Sequence, residues 1–191
     1  MKVIAFNGSA RKDGNTSILI NLALDELKNE GIETELYQLS GKQISGCIAC
    51  YKCFANKNKL CAVEKDIANE CIEKMIEADG IILGSPTYFA DVSASMKALI
   101  ERAGMVSRAN ADMLKRKAGA GVVAVRRAGA TNVFNSMNYF FFIGQMIVPG
   151  SNYWNLGIGR EIGEVLNDNE GVQTMKNLGQ NMAWLLKKLH A

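Results

Sequence analysis

Residues 3–16 read VIAFNGSARKDGNT, a short apolar run followed by a polar loop. After this loop, apolar residues recur at intervals of three and four, the spacing of one buried helix face: Ile20, Ala23, Leu24 and Leu27. The stretch therefore predicts a β-strand, a loop and an α-helix in immediate succession.

The same alternation of strand and helix continues along the chain. Further strands are predicted at residues 32–39, 80–83, 122–125 and about 151–156. The second strand alternates with glutamates, as at a sheet edge, whereas the third is continuously apolar, as in a central parallel strand covered on both faces. The pattern predicts an α/β fold, a flavodoxin-like doubly wound five-stranded parallel sheet of order 2-1-3-4-5 with helices on both faces.

Glycines and capping residues suggest where the later helices begin and end. One helix is expected to open at Asp66 as its N-cap and another to end at Gly104, with residues 105–117 forming a basic connector. Two more helices are expected near 131–147 and at roughly 169–189.

Composition narrows the class of protein. The chain has 191 residues, of which 48% are apolar, and a net charge of +3. These values predict one domain over residues 1–191 with a Cys-rich loop at 44–65, and they argue against nucleic acid or an anionic membrane as partner. The N-terminus does not resemble a signal peptide, and no stretch is long enough to span a bilayer. A cytoplasmic location is expected, where structural disulfides are rare.

Hydrolytic chemistry based on an imidazole is disfavoured by the sequence. The only histidine, His190, is the next-to-last residue. No internal imidazole is therefore present to act as the base of a Cys–His or Ser–His pair.

The loop between the first strand and the first helix has the features of an anion site. Free N–H groups and the positive dipole end at a helix N-terminus attract phosphate. Hydroxyl, guanidinium and amide donors are offered there by Ser9, Arg11, Asn15 and Thr16. The Walker and G-x-G-x-x-G patterns are both missing, which disfavours a dinucleotide site. The alternative is a polar turn in which Asn15 and Thr16 serve only as helix caps.

A second loop with aromatic residues follows the third strand and reads GSPTYFA over residues 84–90. A proline-stiffened turn of this kind can present backbone amides and rings to a flat heterocycle, although surface packing would explain it equally well. Right-handed crossovers place all βα loops of a parallel sheet at one edge. We therefore expect this turn to meet the phosphate loop and residues 126–131 there.

Four cysteines lie in a C-x2-C-x2-C-x7-C run formed by Cys47, Cys50, Cys53 and Cys61. Thiolates at this spacing suit iron–sulfur ligation, zinc binding or thiol redox chemistry. Three alternatives remain open on the residues alone: a cluster, reduced thiols or an optional disulfide, and zinc. Cys71 is separate, because its helical spacing with Ala68 and Met75 predicts a core position.

The motifs G-S-x-R-x-x-G-N-T at residues 8–16 and G-S-P-T-Y-F at 84–89 together resemble the NADPH-dependent FMN reductase family. With the cysteine run between them, the chain resembles the iron–sulfur flavoproteins within that family. The resemblance implies bound FMN whose phosphate sits on Ser9, Arg11, Asn15 and Thr16. Its ribityl chain and ring would contact Pro86, Thr87, Tyr88 and Phe89, with the other side of the flavin approached by Arg127, Ala128 and Gly129. A 4Fe–4S cluster is implied on Cys47, Cys50, Cys53 and Cys61.

The resemblance also implies an activity. It predicts an FMN-dependent oxidoreductase that passes electrons from NAD(P)H or ferredoxin to a quinone, free flavin, oxygen or another acceptor. No acid–base pair is expected, because the flavin performs the redox step. Three alternatives are an electron carrier without turnover of its own, a cluster-free NAD(P)H:FMN reductase and a zinc-stabilised binding protein.

The expected partners are small-molecule or protein redox partners and further copies of the chain. In the family, oligomers bring the cluster of one subunit near the flavin of another, which implies a homodimer or homotetramer. The aromatic run at residues 139–143 is the predicted contact between copies, with packing in the core of one chain as the alternative.

Overall fold

The computed structural model describes all of residues 1–191 and alternates strands and helices as predicted. The strands are β1 (Lys2–Asn7), β2 (Glu33–Gln38), β3 (Gly80–Pro86), β4 (Ala118–Val125) and β5 (Leu156–Ile158). The helices are α1 (Asn15–Asn29), α2 (Lys52–Asn56), α3 (Ala68–Glu77), α4 (Ala94–Ala109), α5 (Ala130–Ile143) and α6 (Asn169–Leu189). A short 3-10 helix, Glu164–Asn167, precedes α6.

The five strands form one parallel sheet in the order β2-β1-β3-β4-β5, which confirms the predicted fold. In the register of the central strands, Ala5 of β1 lies between Leu36 of β2 and Ile82 of β3. The change of direction at β1 and β3 opens a crevice at the carboxyl edge of the sheet, where ligands of such folds bind.

Alternating side chains of the central strands bury against two helical layers. On one face, Val3 and Ala5 join the core formed with α1 and α6. On the other face, Ile4 and Phe6 join the core formed with α3, α4 and α5. Because both faces are covered, the central strands are apolar along their length, as the sequence pattern of β3 indicated.

The predicted end of α4 at Gly104 was wrong, and the predicted connector at 105–117 is shortened to residues 110–117. The helix continues to Ala109 because Val106 and Ala109 extend its buried face. Gly104 does not interrupt it, since its Cα lies against α5, where an added Cβ would sit 3.8 Å from the ring of Phe140. A glycine at a helix–helix contact is tolerated because the close packing offsets its low helix propensity.

Other boundaries differ by a few residues. The fifth strand was predicted at about 151–156 but lies at Leu156–Ile158, where it pairs with the end of β4. The apolar residues before it, Tyr153 and Trp154, are half-exposed and line a cleft instead of joining the sheet. The helix expected from Asp66 begins at Ala68, and α5 ends at Ile143 rather than near residue 147.

None of the helices combines the length and the apolar composition that a bilayer crossing would need.

Candidate functional site

The N-terminus of α1 opens onto the carboxyl edge of the sheet. Its N-cap is Gly14, and no side chain accepts a hydrogen bond from the first-turn N–H groups. Asn15 and Thr16 begin the helix, so their backbone N–H groups remain available at its positive end. This arrangement suits an anion.

Buried side chains hold the loop that precedes α1. The carboxamide oxygen of Asn7 accepts the N–H of Ser9 at 3.0 Å, and its amide donates to Oε1 of Gln38 at 2.7 Å. Gln38 donates in turn to the carbonyl of Ser9 at 2.6 Å, and Ser9 Oγ accepts the N–H of Arg11 at 3.1 Å. This role of Asn7 and Gln38 was not predicted from the sequence. The available signal was a polar residue at the carboxyl end of each of two neighbouring strands.

The loops after β1 and β3 approach each other closely. The N–H of Gly8 donates to the carbonyl of Gly84 at 2.8 Å. A Cβ on Gly8 would lie 2.8 Å from Ser93 Oγ, and one on Gly84 would lie 2.4 Å from a side-chain carbon of Ile20. A side chain at either position would therefore have to displace its neighbours, which favours the glycine of each motif.

One cleft of about 230 Å³ gathers seven of the eleven predicted cofactor contacts, together with residues from the ends of β4 and β5. The predicted residues in its lining are Ser9, Arg11, Asn15, Thr16, Pro86, Thr87 and Tyr88. The additional polar lining comes from Arg126, Gly159 and Arg160, none of which was predicted to contact the cofactor. Two further arginines therefore border a cleft that already contains Arg11.

The loop after β5 folds over the start of α1. Asn15 donates its side-chain amide to the carbonyl of Glu161 at 2.9 Å, and its carboxamide oxygen accepts the N–H of Gly163 at 2.9 Å. The Asn15 side chain is thus engaged by this loop, and its backbone N–H is the group left for a ligand. Within the loop, Glu164 accepts the N–H groups of Glu161 and Arg160, and these hydrogen bonds lower the pKa of its carboxyl.

The turn after β3 is anchored at one end and strained at its tip. Thr87 donates its N–H to the carbonyl of Ala124 at 2.9 Å, while Tyr88 and Asp91 pair through their backbones. Phe89 and Ala90 at the tip both have positive φ, 48° and 60°. The Phe89 side chain is fully exposed and lies outside the cleft lining, unlike its predicted neighbours. The hydroxyl of Thr87 is buried and has no hydrogen-bond partner within the chain.

Arg127, Ala128 and Gly129 line a second cleft of about 330 Å³, which meets the first at Val125. Its far wall is formed by the rings of Tyr153 and Trp154, whose centroids are 4.9 Å apart. Gly129 has a φ of 89°, and a Cβ there would lie 3.0 Å from Ala90. The loops after β3 and β4 are therefore in contact, and the residues predicted on both lie side by side.

The four cysteines of the run border one small, mostly apolar cavity beside α4. All of them are free thiols, and so is Cys71, which is buried in the core as predicted. Burial raises the pKa of the Cys71 thiol to about 12. No three metal-ligating side chains of the chain converge closely enough to hold a single metal ion.

Left-handed backbone shapes the cysteine loop. Four residues other than glycine have positive φ there, namely Ala49, Tyr51, Lys57 and Lys59. Such conformations cost free energy and persist only where the surroundings fix them. The first of them turns the backbone so that the N–H of Ala49 points at Cys47 Sγ, 3.4 Å away.

Helix α4 supplies the anchors of this loop. Glu101 accepts the N–H of Cys47 at 3.2 Å, and Arg102 donates Nε–H to Cys61 Sγ at 2.9 Å. Arg102 is only 1% exposed and is paired with Asp66 at 3.0 Å. Burial opposes ionisation of Asp66, but hydrogen bonds from Ser45, Ala68 and Arg102 outweigh it and lower the pKa of this carboxyl.

Arg102 was not predicted as a functional residue. It lies between Leu99 and Val106 on the buried face of α4, where a charged side chain needs a partner. That position was the available signal. The prediction that Asp66 is the helix N-cap was wrong, because Ile67 is the N-cap of α3 and Asp66 lies one residue before it. One oxygen of Asp66 accepts the N–H of Ala68 at 3.1 Å, and the other accepts from Arg102 at 3.0 Å.

The strand order, the uncapped helix at the carboxyl edge and the cleft beside it define a flavodoxin-like α/β protein. Comparison with known sequences narrows this class. The chain belongs to the NADPH-dependent FMN reductase family, whose profile matches residues 1–161, and the resemblance seen in the motifs is confirmed. The family consists of oxidoreductases.

Curated relatives match over nearly their full length. An iron–sulfur flavoprotein of Methanocaldococcus jannaschii is 40% identical over 98% of this chain and 98% of its own. An iron–sulfur flavoprotein of Methanosarcina thermophila is 33% identical over 98% of this chain and 96% of its own.

Solved structures agree on the fold. RosB, solved with bound 8-demethyl-8-formylriboflavin-5'-phosphate, superposes with a TM-score of 0.77 at 20% identity, covering 100% of this chain and 80% of its own. An NAD(P)H:quinone oxidoreductase from Methanothermobacter marburgensis gives a TM-score of 0.68 at 12% identity, covering 95% of this chain and 96% of its own. At these identities the likeness concerns the fold.

Proposed function

We propose that the chain is an FMN-dependent oxidoreductase that transfers electrons from NAD(P)H or ferredoxin to a quinone, free flavin, oxygen or another carrier. The observation that carries this proposal is the cleft at the start of α1, where unpaired backbone N–H groups, hydroxyls and three arginines surround about 230 Å³. FMN supplies the redox chemistry when it is bound. The chain supplies binding, orientation and charge.

The phosphate of FMN would bind at the helix N-terminus. The backbone N–H groups of Asn15 and Thr16 donate from the first turn, and the hydroxyls of Ser9 and Thr16 lie in the same lining. Arg11 adds a guanidinium whose geometry matches phosphate. A dianion is favoured there by both the helix dipole and the arginine charge.

The flavin ring would lie along the loops after β3 and β4. Thr87 offers a buried hydroxyl without a partner in the chain, which a polar edge of the ring would satisfy. Pro86 and Tyr88 would contact one side of the flavin, and Arg127–Gly129 the other. Phe89, at the exposed tip, would reach the cofactor only from outside the cleft.

We also propose that Cys47, Cys50, Cys53 and Cys61 hold a 4Fe–4S cluster. All four thiols border one cavity, where a cluster of this kind would take its four cysteine ligands. The relatives of Methanocaldococcus jannaschii and Methanosarcina thermophila are named iron–sulfur flavoproteins, which supports the same choice.

A homodimer or homotetramer is proposed as the working form. Tyr139, Phe142 and Ile143 on α5 are each more than half exposed. Tyr139 and Ile143 line a groove of about 620 Å³ between α4 and α5 that also contains Cys47 and Tyr51, whereas Phe142 lines a separate groove. A second copy covering this face would bury exposed apolar surface next to the cysteine loop.

Anaerobic purification followed by an absorption spectrum and analysis of FMN, iron, sulfide and zinc tests the cofactors together. We expect one FMN and about four irons and four sulfides per chain. Flavin without iron would indicate a cluster-free reductase, and zinc without flavin would contradict the proposal. Steady oxidation of NAD(P)H by the pure protein would distinguish an enzyme from an electron carrier.

A further inference from the structure

We infer that Arg102 is a positioning residue that sets the reduction potential of the group held by Cys61. The inference rests on the cluster proposed above. Arg102 lies on α4 beneath the cysteine loop, and its side chain is 1% exposed. It is the only charged side chain in the chain that donates a hydrogen bond to a cysteine sulfur.

Every nitrogen of the Arg102 guanidinium donates a hydrogen bond. Nε–H donates to Cys61 Sγ at 2.9 Å, Nη1 donates to Asp66 at 3.0 Å and to the carbonyl of Ser45 at 3.2 Å, and Nη2 donates to the carbonyl of Val63 at 2.6 Å. These hydrogen bonds fix the orientation of the planar guanidinium group. The Nε–H group is therefore held at the sulfur without freedom to turn away.

The position of Cys61 does not depend on Arg102 alone. Asn69 accepts the N–H of Cys61 at 2.7 Å and donates to its carbonyl at 2.9 Å. The backbone of this cysteine is thus held from α3, while Arg102 contacts only its sulfur. Cys61 therefore keeps its backbone anchor to α3 in a variant that lacks Arg102.

The direction of the effect follows from charge. One-electron reduction adds negative charge to a thiolate-ligated cluster, and a buried N–H donor at the sulfur stabilises that charge. Arg102 should therefore make the potential less negative. Because Asp66 balances the arginine, the buried pair is neutral as a whole.

The test compares two double variants with the parent protein. Arg102→Met with Asp66→Asn removes the hydrogen bond to Cys61 and leaves net charge unchanged. Lys28→Met with Asp25→Asn makes the matching charge-neutral change at an exposed pair on α1, 2.9 Å apart. Iron and sulfide content is measured first, and the potential is then measured by anaerobic titration with dithionite and mediators, followed by electron paramagnetic resonance.

We expect full iron and sulfide in both double variants, a more negative potential only in the Arg102 variant, and altered resonance signals in that variant. Asp66→Asn alone keeps the hydrogen bond and adds a net positive charge, so its potential should move in the opposite direction. An unchanged potential in a fully loaded Arg102 variant would overturn the inference, as would loss of iron from that variant while it remains folded. A parent protein without iron and sulfide would overturn the cluster proposal and this inference with it.

Discussion

The phosphate loop and the cysteine loop lie on the same sheet edge but are built in different ways. The phosphate loop, residues 8–14, is held by hydrogen bonds to Asn7 and Gln38 at the ends of β1 and β2, and none of its residues, glycines included, has positive φ. The cysteine loop, residues 44–65, contains four non-glycine residues with left-handed backbone conformation. It is anchored to α4 by the buried ion pair between Arg102 and Asp66, the residue that follows the loop. The shape of the phosphate loop is therefore set by the ends of neighbouring strands, whereas the shape of the cysteine loop depends on tertiary contacts with α4.

The largest expected effect comes from removing one cysteine of the run. Cys50→Ser should reduce iron from about four atoms per chain to nearly none, because a cluster of this type needs four thiolates. FMN content should stay unchanged, since the cysteine cavity shares no lining residue with either cleft. Metal and flavin analysis measures both. Cys71→Ala, which changes a core cysteine, is the control and should keep its iron; iron retained in the Cys50 variant would exclude the proposed ligand set.

Leaving a charge unpaired beneath the cysteine loop should have the next largest effect. Arg102→Gln buries Asp66 without its partner and should lower the free energy of unfolding by about 3–5 kcal/mol. Urea denaturation measures this loss. Arg108→Gln, at an exposed position on the same helix, should change stability by less than about 0.5 kcal/mol. Equal losses in the two variants would mean that the loop does not depend on its buried pair.

In the phosphate loop a single side chain should affect binding more than stability. Arg11→Ala should weaken FMN binding by about 1–3 kcal/mol, the loss of a charged hydrogen bond, with little change in unfolding. Fluorescence titration of the apoprotein with FMN gives the affinity. Lys12→Ala removes a neighbouring exposed charge outside the cleft lining and should bind FMN normally. Unchanged affinity in the Arg11 variant would contradict the phosphate assignment.

The smallest effect is expected at an ion pair outside both loops. Lys74 donates to Glu35 at 2.6 Å, and this hydrogen bond lowers the pKa of Glu35. A lowered carboxyl pKa adds stability that is complete above the ordinary value of about 4.3 and is lost as the pH falls through the lowered value. Glu35→Gln should therefore cost less than about 1 kcal/mol at pH 7, and the difference should vanish in acid. If the stability difference between the parent and Glu35→Gln grew as the pH fell, the pKa of Glu35 would be raised in the folded state and not lowered.

The same contrast explains how much could be predicted from the sequence. Strand order and the phosphate loop follow from local patterns, namely the apolar run of β3, the glutamates of β2 and a polar turn before an amphipathic helix. Gly104 was misinterpreted as a helix end because its contact with Phe140 on α5 is invisible in sequence. Arg102 was missed for the same reason, since its partners Asp66 and Cys61 are 36 and 41 residues away.

Most of the predicted cofactor-binding residues do line the cleft, but the contacts that their side chains make differ from those expected. Asn15 lies in the lining as expected, but its side chain binds the loop after β5, a contact 146 residues away in sequence. Phe89 was expected against the cofactor because it follows Tyr88, yet the tight turn with two left-handed residues directs it into solvent. Which of the gathered residues contact FMN stays a prediction.

Two hydrogen bonds join Asn15 to the loop after β5, one donated to the carbonyl of Glu161 and one accepted from the N–H of Gly163, and they act as a clasp beside the cleft. A hydrogen bond contributes a net 0.5–1.5 kcal/mol, so opening the clasp costs about 1–3 kcal/mol, far less than the roughly 5–15 kcal/mol of global unfolding. In the proposed flavoprotein, cofactor exchange would therefore need only local opening while the sheet stays intact. The lifetime of a bound flavin and the stability of the domain would then be separate quantities, and evolution or design could change one without the other.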